Sequence, residues 1–173
     1  HCVQQLLDQG YEVKSTVRSE SKKQEILDSM AKNSSNSNNL EIVMADLLKD
    51  EGWDEAVAGC DYVQHIASPI PTTNSNDYDI VVKPAVNGIK RCLNAALKNN
   101  IKRFVMTSSV AAVGGSNHKN EYDDTDWTDL TMEVGPYQTS KTKAEQYLWD
   151  FMKEHEGKTD MEAVAINPSM VFG

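Results

Sequence analysis

Apolar residues change their period several times along this chain, and each change marks an element. Cys2, Val3, Leu6 and Leu7 recur at the spacing of a helix face and stop at Gly10, a residue suited to a helix C-terminus. Tyr11 to Arg18 follows, rich in Val and Thr, and reads as a strand. Ser19 to Ala31 is a charged amphipathic helix, and the Asn/Ser tract from Asn33 to Asn39 reads as a surface loop too polar to bury. Leu40 to Ala45 is a second strand, Trp53 to Val57 a short helix ended by Gly59, and Asp61 to Ala67 a third strand. Val82, Val86, Ile89, Leu93 and Leu97 line one face of a helix, with Pro84 near its start or kinking it. Arg103 to Thr107 is a strand closing on Ser108 and Ser109. A long polar loop from Gly114 to Gly135 leads to a helix from about Tyr137 to His155, and Met161 to Ile166 is the last strand.

Strands alternating with helices predict a parallel sheet covered on both faces, the doubly wound α/β architecture, as a single partial dinucleotide-binding domain over residues 1–173. Such sheets bind ligands beyond the carboxyl ends of their strands. Those ends are Arg18, Asp46, Ala67-Ser68-Pro69, Ser108-Ser109 and Asn167-Pro168, a row of polar and turn residues that suits one extended ligand.

Composition narrows the partners. With 17 Lys+Arg against 26 Asp+Glu the net charge is -9, which opposes nucleic acid or an anionic membrane as the main partner. The 173 residues, 39% hydrophobic and 25% charged, suit one folded domain. No apolar run reaches the length of a membrane span. Cys2, Cys60 and Cys92 are odd in number and widely spaced, which predicts reduced thiols and a cytoplasmic protein, with neither a disulfide framework nor a zinc site.

Tyr137-Gln138-Thr139-Ser140-Lys141 sets a phenol and an ammonium one helical turn apart on one face. A cation beside a phenol stabilises the phenolate by about 1 to 3 pKa units, which brings proton transfer within reach at neutral pH. Such a Tyr can protonate the alkoxide formed when hydride reaches a carbonyl. A solvated Tyr–Lys pair is the plain alternative, and context decides: Thr107-Ser108-Ser109 closes a strand ahead of the Tyr helix, where a hydroxyl can bond the same oxygen. Other features read as structural. Gly114-Gly115 lacks a phosphate-loop setting, His65 and His118 lack metal-ligand spacing, and Asp123, Asp124 and Asp126 lack that of a calcium loop. Trp53, Trp127 and Trp149 read as packing residues.

The ordered set Gln5-Leu6-Leu7 to Gly10-Tyr11, Thr16-Val17-Arg18, Ala45-Asp46-Leu47, Gly52-Trp53 to Gly59-Cys60-Asp61, His65-Ile66-Ala67-Ser68-Pro69, Lys102 to Ser109, Asp126-Trp127, Tyr137 with Lys141, and Asn167 to Gly173 covers essentially the whole chain. In this it resembles the extended short-chain dehydrogenases, in the branch of dihydroflavonol and cinnamoyl-CoA reductases and fungal carbonyl reductases. The resemblance implies Ser109, Tyr137 and Lys141 as the catalytic trio, with Ser109 rather than Ser108 because the family usually uses the second serine of the pair. It implies Asp46 and Leu47 at the adenine, Ile66, Ala67 and Ser68 at the ribose and pyrophosphate, and Pro168 and Val171 at the nicotinamide amide, with Tyr137 and Lys141 also holding cofactor. Arg18 stands where an acidic residue would select NAD(H), with Lys22 and Lys23 close behind, which favours NADP(H). The expected reaction moves hydride between NADPH and a ketone or aldehyde, a small-molecule carbonyl or alcohol partner. The alternatives are an epimerase or steroid dehydrogenase/isomerase of the same superfamily, or a noncatalytic NADP-binding scaffold.

The sequence departs from this pattern at its ends. No Gly-x-x-Gly-x-x-Gly loop is present, and His1-Cys2-Val3 resembles the helix that follows it. The family's first strand, expected between the strands ending at Arg18 and Ala67, has no counterpart, nor has the C-terminal substrate lobe. The 173-residue chain alone is therefore expected to be poorly stable and inactive. Substrate choice is expected to rest on Ile70 to Asp79, Val113 to Pro136 and that lobe.

Overall fold

The computed structural model describes residues 1–69, 78–116 and 119–171. Its elements run in the order α1 (Cys2–Asp8), β1 (Val13–Val17), α2 (Glu20–Asn33), β2 (Leu40–Met44), α3 (Trp53–Val57), β3 (Tyr62–His65), α4 (Tyr78–Lys98), β4 (Arg103–Thr107), α5 (Pro136–Glu154) and β5 (Glu162–Ile166). Short 3-10 turns occupy Ser37–Asn39 and Val110–Ala112. The expected strands are each present, trimmed by one to three residues in all but the Arg103–Thr107 strand, where the chain turns into its loop.

The strands form two parallel sheets, β1-β2 and β3-β4-β5. Among the described residues β1 pairs only with β2 and β3 only with β4, so the ladder is interrupted between β1 and β3. That is the place expected for the strand with no counterpart in this sequence. The two sheets are linked by α3, whose helix lies against β1, β2 and α4. Just past it, the Ala58 carbonyl accepts Lys14 Nζ from β1 at 2.9 Å.

Registration in β3-β4-β5 sorts side chains by face. Val63, Phe104 and Ala163 stand in one row, and His65, Met106 and Ala165 in the next row on the same face. That face meets α4 and α5, which pack on each other. Their buried residues Ile89, Leu93, Ala96, Ala144, Leu148 and Phe151 join Phe104, Met106 and Trp53 in the main core. Pro84 sits two turns inside α4, which continues past it. The helical stripe is offset from the expected one: Val86 and Leu97 are half-buried, while Val81, Ala85, Cys92 and Ala95 are buried, because α4 meets β3, α3 and α5 at once.

The Asn33–Asn39 tract lies at the surface over most of its length, but one residue corrects the expectation that it is too polar to bury. Ser34 is buried, its hydroxyl donating to Asp8 Oδ1 at 2.7 Å, and Asn36 Nδ2 donates to the Leu7 carbonyl at 2.8 Å. Polar side chains can be buried when each is hydrogen-bonded, and here they satisfy the C-terminal end of α1. No described helix is long and apolar enough to cross a membrane.

Candidate active site

All strands within each sheet are parallel, so the carboxyl ends of β3, β4 and β5 open onto one edge. At that edge β4 leaves the sheet through Ser108 and Ser109. The Ser108 amide donates to the Ile166 carbonyl at 2.8 Å, and Val110 N donates to the Pro168 carbonyl at 3.1 Å, which ties the turn to the end of β5. Ser109 is the N-cap of the Val110–Ala112 turn, with its Oγ accepting Ala111 N at 3.2 Å. A latch holds the turn from the other side: Thr128, buried in the polar loop, donates through Oγ1 to the Ala111 carbonyl at 2.8 Å and accepts Gly115 N at 2.7 Å.

Helix α5 begins beside this turn. Gly135 precedes Pro136, whose fixed φ and missing N–H suit the first helical position. The first turns carry hydroxyls where a core helix would carry aliphatics. Thr139, Ser140 and Thr142 are buried and donate to the Gly135, Tyr137 and Gln138 carbonyls of their own helix. This lets the Tyr137 to Lys141 segment press into the fold without unsatisfied polar groups.

The Tyr137 hydroxyl points at Ser109 Oγ, 3.5 Å away, and Lys141 Nζ donates to the Thr107 carbonyl at 3.3 Å from a buried side chain. Burial pushes the Lys141 ammonium below its ordinary range, and the Glu145 carboxylate pulls it partly back. Ser108 is also buried, but its Oγ has no hydrogen-bond partner among the described residues. His65 ends β3 on the core face, stacked on Phe104 with ring centroids 6.0 Å apart. Burial, helped by the Lys141 cation, holds it neutral with its pKa pushed down to about 4. No cluster of His, Cys, Asp or Glu among the described residues is arranged for a metal ion.

The residues implied as cofactor contacts divide by sheet. Arg18, exposed at the end of β1, makes no ion pair with a described residue. Lys22 is paired with Glu25 of its own helix at 2.5 Å. Asp46 organises the turn after β2: its Oδ1 accepts Leu48 N at 3.0 Å, and its carbonyl accepts the Trp53 indole N–H at 3.3 Å. Leu47 turns inward against Gly88 of α4, whose missing Cβ makes room, since a Cβ there would lie 2.5 Å from Leu47 Cδ2. Ile66 and Ala67 are exposed and Ser68 half-buried past β3, Pro168 is half-buried, and Val171 is exposed. An extended nucleotide fits this distribution, with a guanidinium open at the β1 end, small residues past β3 and a buried cation beneath the β4 end. His118, and residues 70–77 of the loop expected to choose substrate, lie outside the described residues.

Glu145 escapes a reading by motif, and Asn167, singled out in sequence only as a strand-end residue, makes a link to it that no motif indicates. Asn167 Nδ2 donates to the Ser109 carbonyl at 3.1 Å and to Glu145 Oε2 at 2.7 Å. The available signal was spacing, because Glu145 follows Lys141 by one helical turn.

The chain is similar to known proteins along its whole length. The family model described as the 3-beta hydroxysteroid dehydrogenase/isomerase family matches residues 1–173. Dihydroflavonol 4-reductase of Arabidopsis thaliana is 35% identical over 99% of this chain and 46% of its own length. A ketoreductase of Aspergillus niger is 34% identical over 100% of the chain and 54% of its own length. Among solved structures, yeast methylglyoxal/isovaleraldehyde reductase Gre2 complexed with NADPH superposes with a TM-score of 0.85 at 29% identity, covering 99% of this chain and 54% of that one. The chain spans about half the length of the curated relatives it matches.

Proposed function

We propose, for a chain that belongs to the 3-beta hydroxysteroid dehydrogenase/isomerase family, that the protein containing it reduces a ketone or aldehyde with NADPH through Ser109, Tyr137 and Lys141. The observation that carries this reading is the convergence at the end of β4, where the Tyr137 hydroxyl faces Ser109 Oγ at 3.5 Å and the buried Lys141 lies one turn on. A carbonyl oxygen between the two hydroxyls accepts a hydrogen bond from each. NADPH, when bound, supplies the hydride, two electrons and a proton nucleus, to the carbonyl carbon. The Tyr137 O–H bond breaks as its proton passes to the carbonyl oxygen, so the products are the alcohol and NADP+ with a phenolate on Tyr137. Ser109 polarises the carbonyl as negative charge grows on oxygen. Lys141, held in a dry setting, stabilises that phenolate until solvent returns the proton.

Arg18 supports NADPH over NADH, because an exposed guanidinium at the end of β1 can pair with a ribose phosphate, where a carboxylate would instead hold ribose hydroxyls. Yeast Gre2 and its Candida albicans counterpart, at 29% and 31% identity, were both solved with NADPH. The relatives named as reductases favour carbonyl reduction over epimerisation. The test uses the full-length protein: fluorescence titration with NADPH and NADH, then turnover of a panel of ketones and aldehydes. NADPH-dependent reduction that vanishes in Tyr137→Phe supports the reading, and binding of neither cofactor refutes it.

A further inference from the structure

The proton transfer just described makes no use of Glu145, yet its carboxylate is buried at 5% exposure beside the site. No described cation lies within ion-pair distance of it, and beyond the longer-range attraction of Lys141 its burial is offset by hydrogen bonds. There are two: Oε2 accepts Asn167 Nδ2 at 2.7 Å, and Oε1 accepts the Trp149 indole N–H at 3.4 Å. Asn167 Nδ2 also donates to the Ser109 carbonyl at 3.1 Å.

We propose that Glu145 is a positioning residue, which acts through Asn167 to fix the main chain of Ser109 and thereby the hydroxyl facing Tyr137. The chemistry of the donors sets the direction of this link. A carboxylate and a peptide carbonyl are both acceptors, so only the NH2 end of the Asn167 amide, with its two protons, satisfies both. Glu145 therefore selects the amide orientation that holds the Ser109 carbonyl. Through the end of β5 the link joins α5 to the end of β4, the two elements that carry the proposed chemistry. Without the carboxylate the Asn167 amide can rotate, and the Ser109 carbonyl loses the side-chain bond that ties it to the end of β5, keeping the bonds of its own turn and the Tyr137 contact.

This inference rests on the reading of Ser109, Tyr137 and Lys141 as the reacting site, and its test separates the two. In the full-length protein, Glu145→Ala, Glu145→Gln, Asn167→Ala and the Glu145→Ala/Asn167→Ala double variant are compared for kcat, KM and amide exchange at Ala111. That amide donates to Ser109 Oγ, so its exchange reports the Ser109 side chain without any turnover. Glu145→Ala should lower kcat by about 10- to 100-fold while KM for NADPH stays within about 2-fold, the pattern of a misplaced reacting group. Glu145→Gln, which keeps an acceptor oxygen, should restore kcat to within about 3-fold, and the double variant should be no worse than Asn167→Ala. Ala111 exchange should quicken by about 10-fold in Glu145→Ala and in Asn167→Ala, and only slightly in Glu145→Gln. Unchanged Ala111 exchange in Asn167→Ala, or losses that multiply in the double variant, would overturn the proposal. Absence of turnover in the unaltered protein defeats the carbonyl-reductase reading, and the exchange rates still decide the role of Glu145. Should Glu145→Ala not fold, the comparison of Glu145→Gln with Asn167→Ala gives the same decision.

Discussion

Tyr137 Oη and Ser109 Oγ, 28 residues apart in sequence, stand 3.5 Å from each other at the carboxyl end of β4. Neither could hold that place alone: Ser109 is fixed by its own turn and by Asn167, and Tyr137 by the buried hydroxyls of the first turns of α5. Tyr137→Phe keeps the ring and removes the proton. Turnover should fall by about 100-fold or more while NADPH affinity changes by less than about 3-fold, as read by steady-state kinetics beside fluorescence titration. Equal loss of binding and turnover would mean that Tyr137 is only a cofactor contact.

Arg18 is expected to set cofactor choice. Arg18→Ala should weaken NADPH by about 10- to 100-fold, the worth of a charge-assisted contact, and leave NADH nearly unchanged. Titration of both nucleotides checks it, and parallel weakening of the two would assign Arg18 a structural role.

His65 gives the fold a defined acid sensitivity. Its folded pKa of about 4 lies below the ordinary 6.5, so between these values the unfolded chain binds the proton that the folded chain refuses. Stability is therefore complete above pH 6.5 and falls as pH drops toward 4, by about 3 kcal/mol at most from this group. Urea midpoints measured from pH 7 to 4 should fall more steeply in the unaltered full-length protein than in His65→Gln. Identical slopes would show that His65 does not titrate between the two states.

Gly52 admits the turn that positions Asp46. It sits at φ +87° as the N-cap of α3, and an added Cβ would overlap the carbonyl oxygen of Met44. Because that obstacle is backbone, Gly52→Ala should cost about 2 kcal/mol or more from the left-handed conformation and the clash together. Gly88→Ala meets the Leu47 side chain, from Cδ2 at 2.5 Å to Cβ at 3.2 Å, and because these nearest atoms are side chain rather than backbone it should cost less, about 1 kcal/mol. Thermal melts of both variants test the ordering.

The interruption between β1 and β3 carries a prediction for the 173-residue chain alone. With unpaired strand edges facing the interruption, it should melt broadly and aggregate on heating. A sharp, reversible transition by circular dichroism would show that the link through α3 suffices to hold the sheets together.

Periodicity and spacing in the sequence determined the alternation of strands and helices, the parallel class and the placement of Tyr137 and Lys141 on one helical face. Those features depend on local repeats of two and 3.6 residues. The placement of Ser109 at a strand end followed from the same local reading, and its role from likeness to a family. Tertiary structure decided the rest. Whether the Asn33–Asn39 tract is free or docked depends on Asp8 and Leu7, far away in sequence. Which face of α4 is buried depends on three neighbours at once, and the Glu145 to Asn167 to Ser109 link joins residues 22 and 58 positions apart. A hydrogen bond between distant side chains leaves no periodic trace in a sequence, because its partners meet only after the elements that carry them have packed.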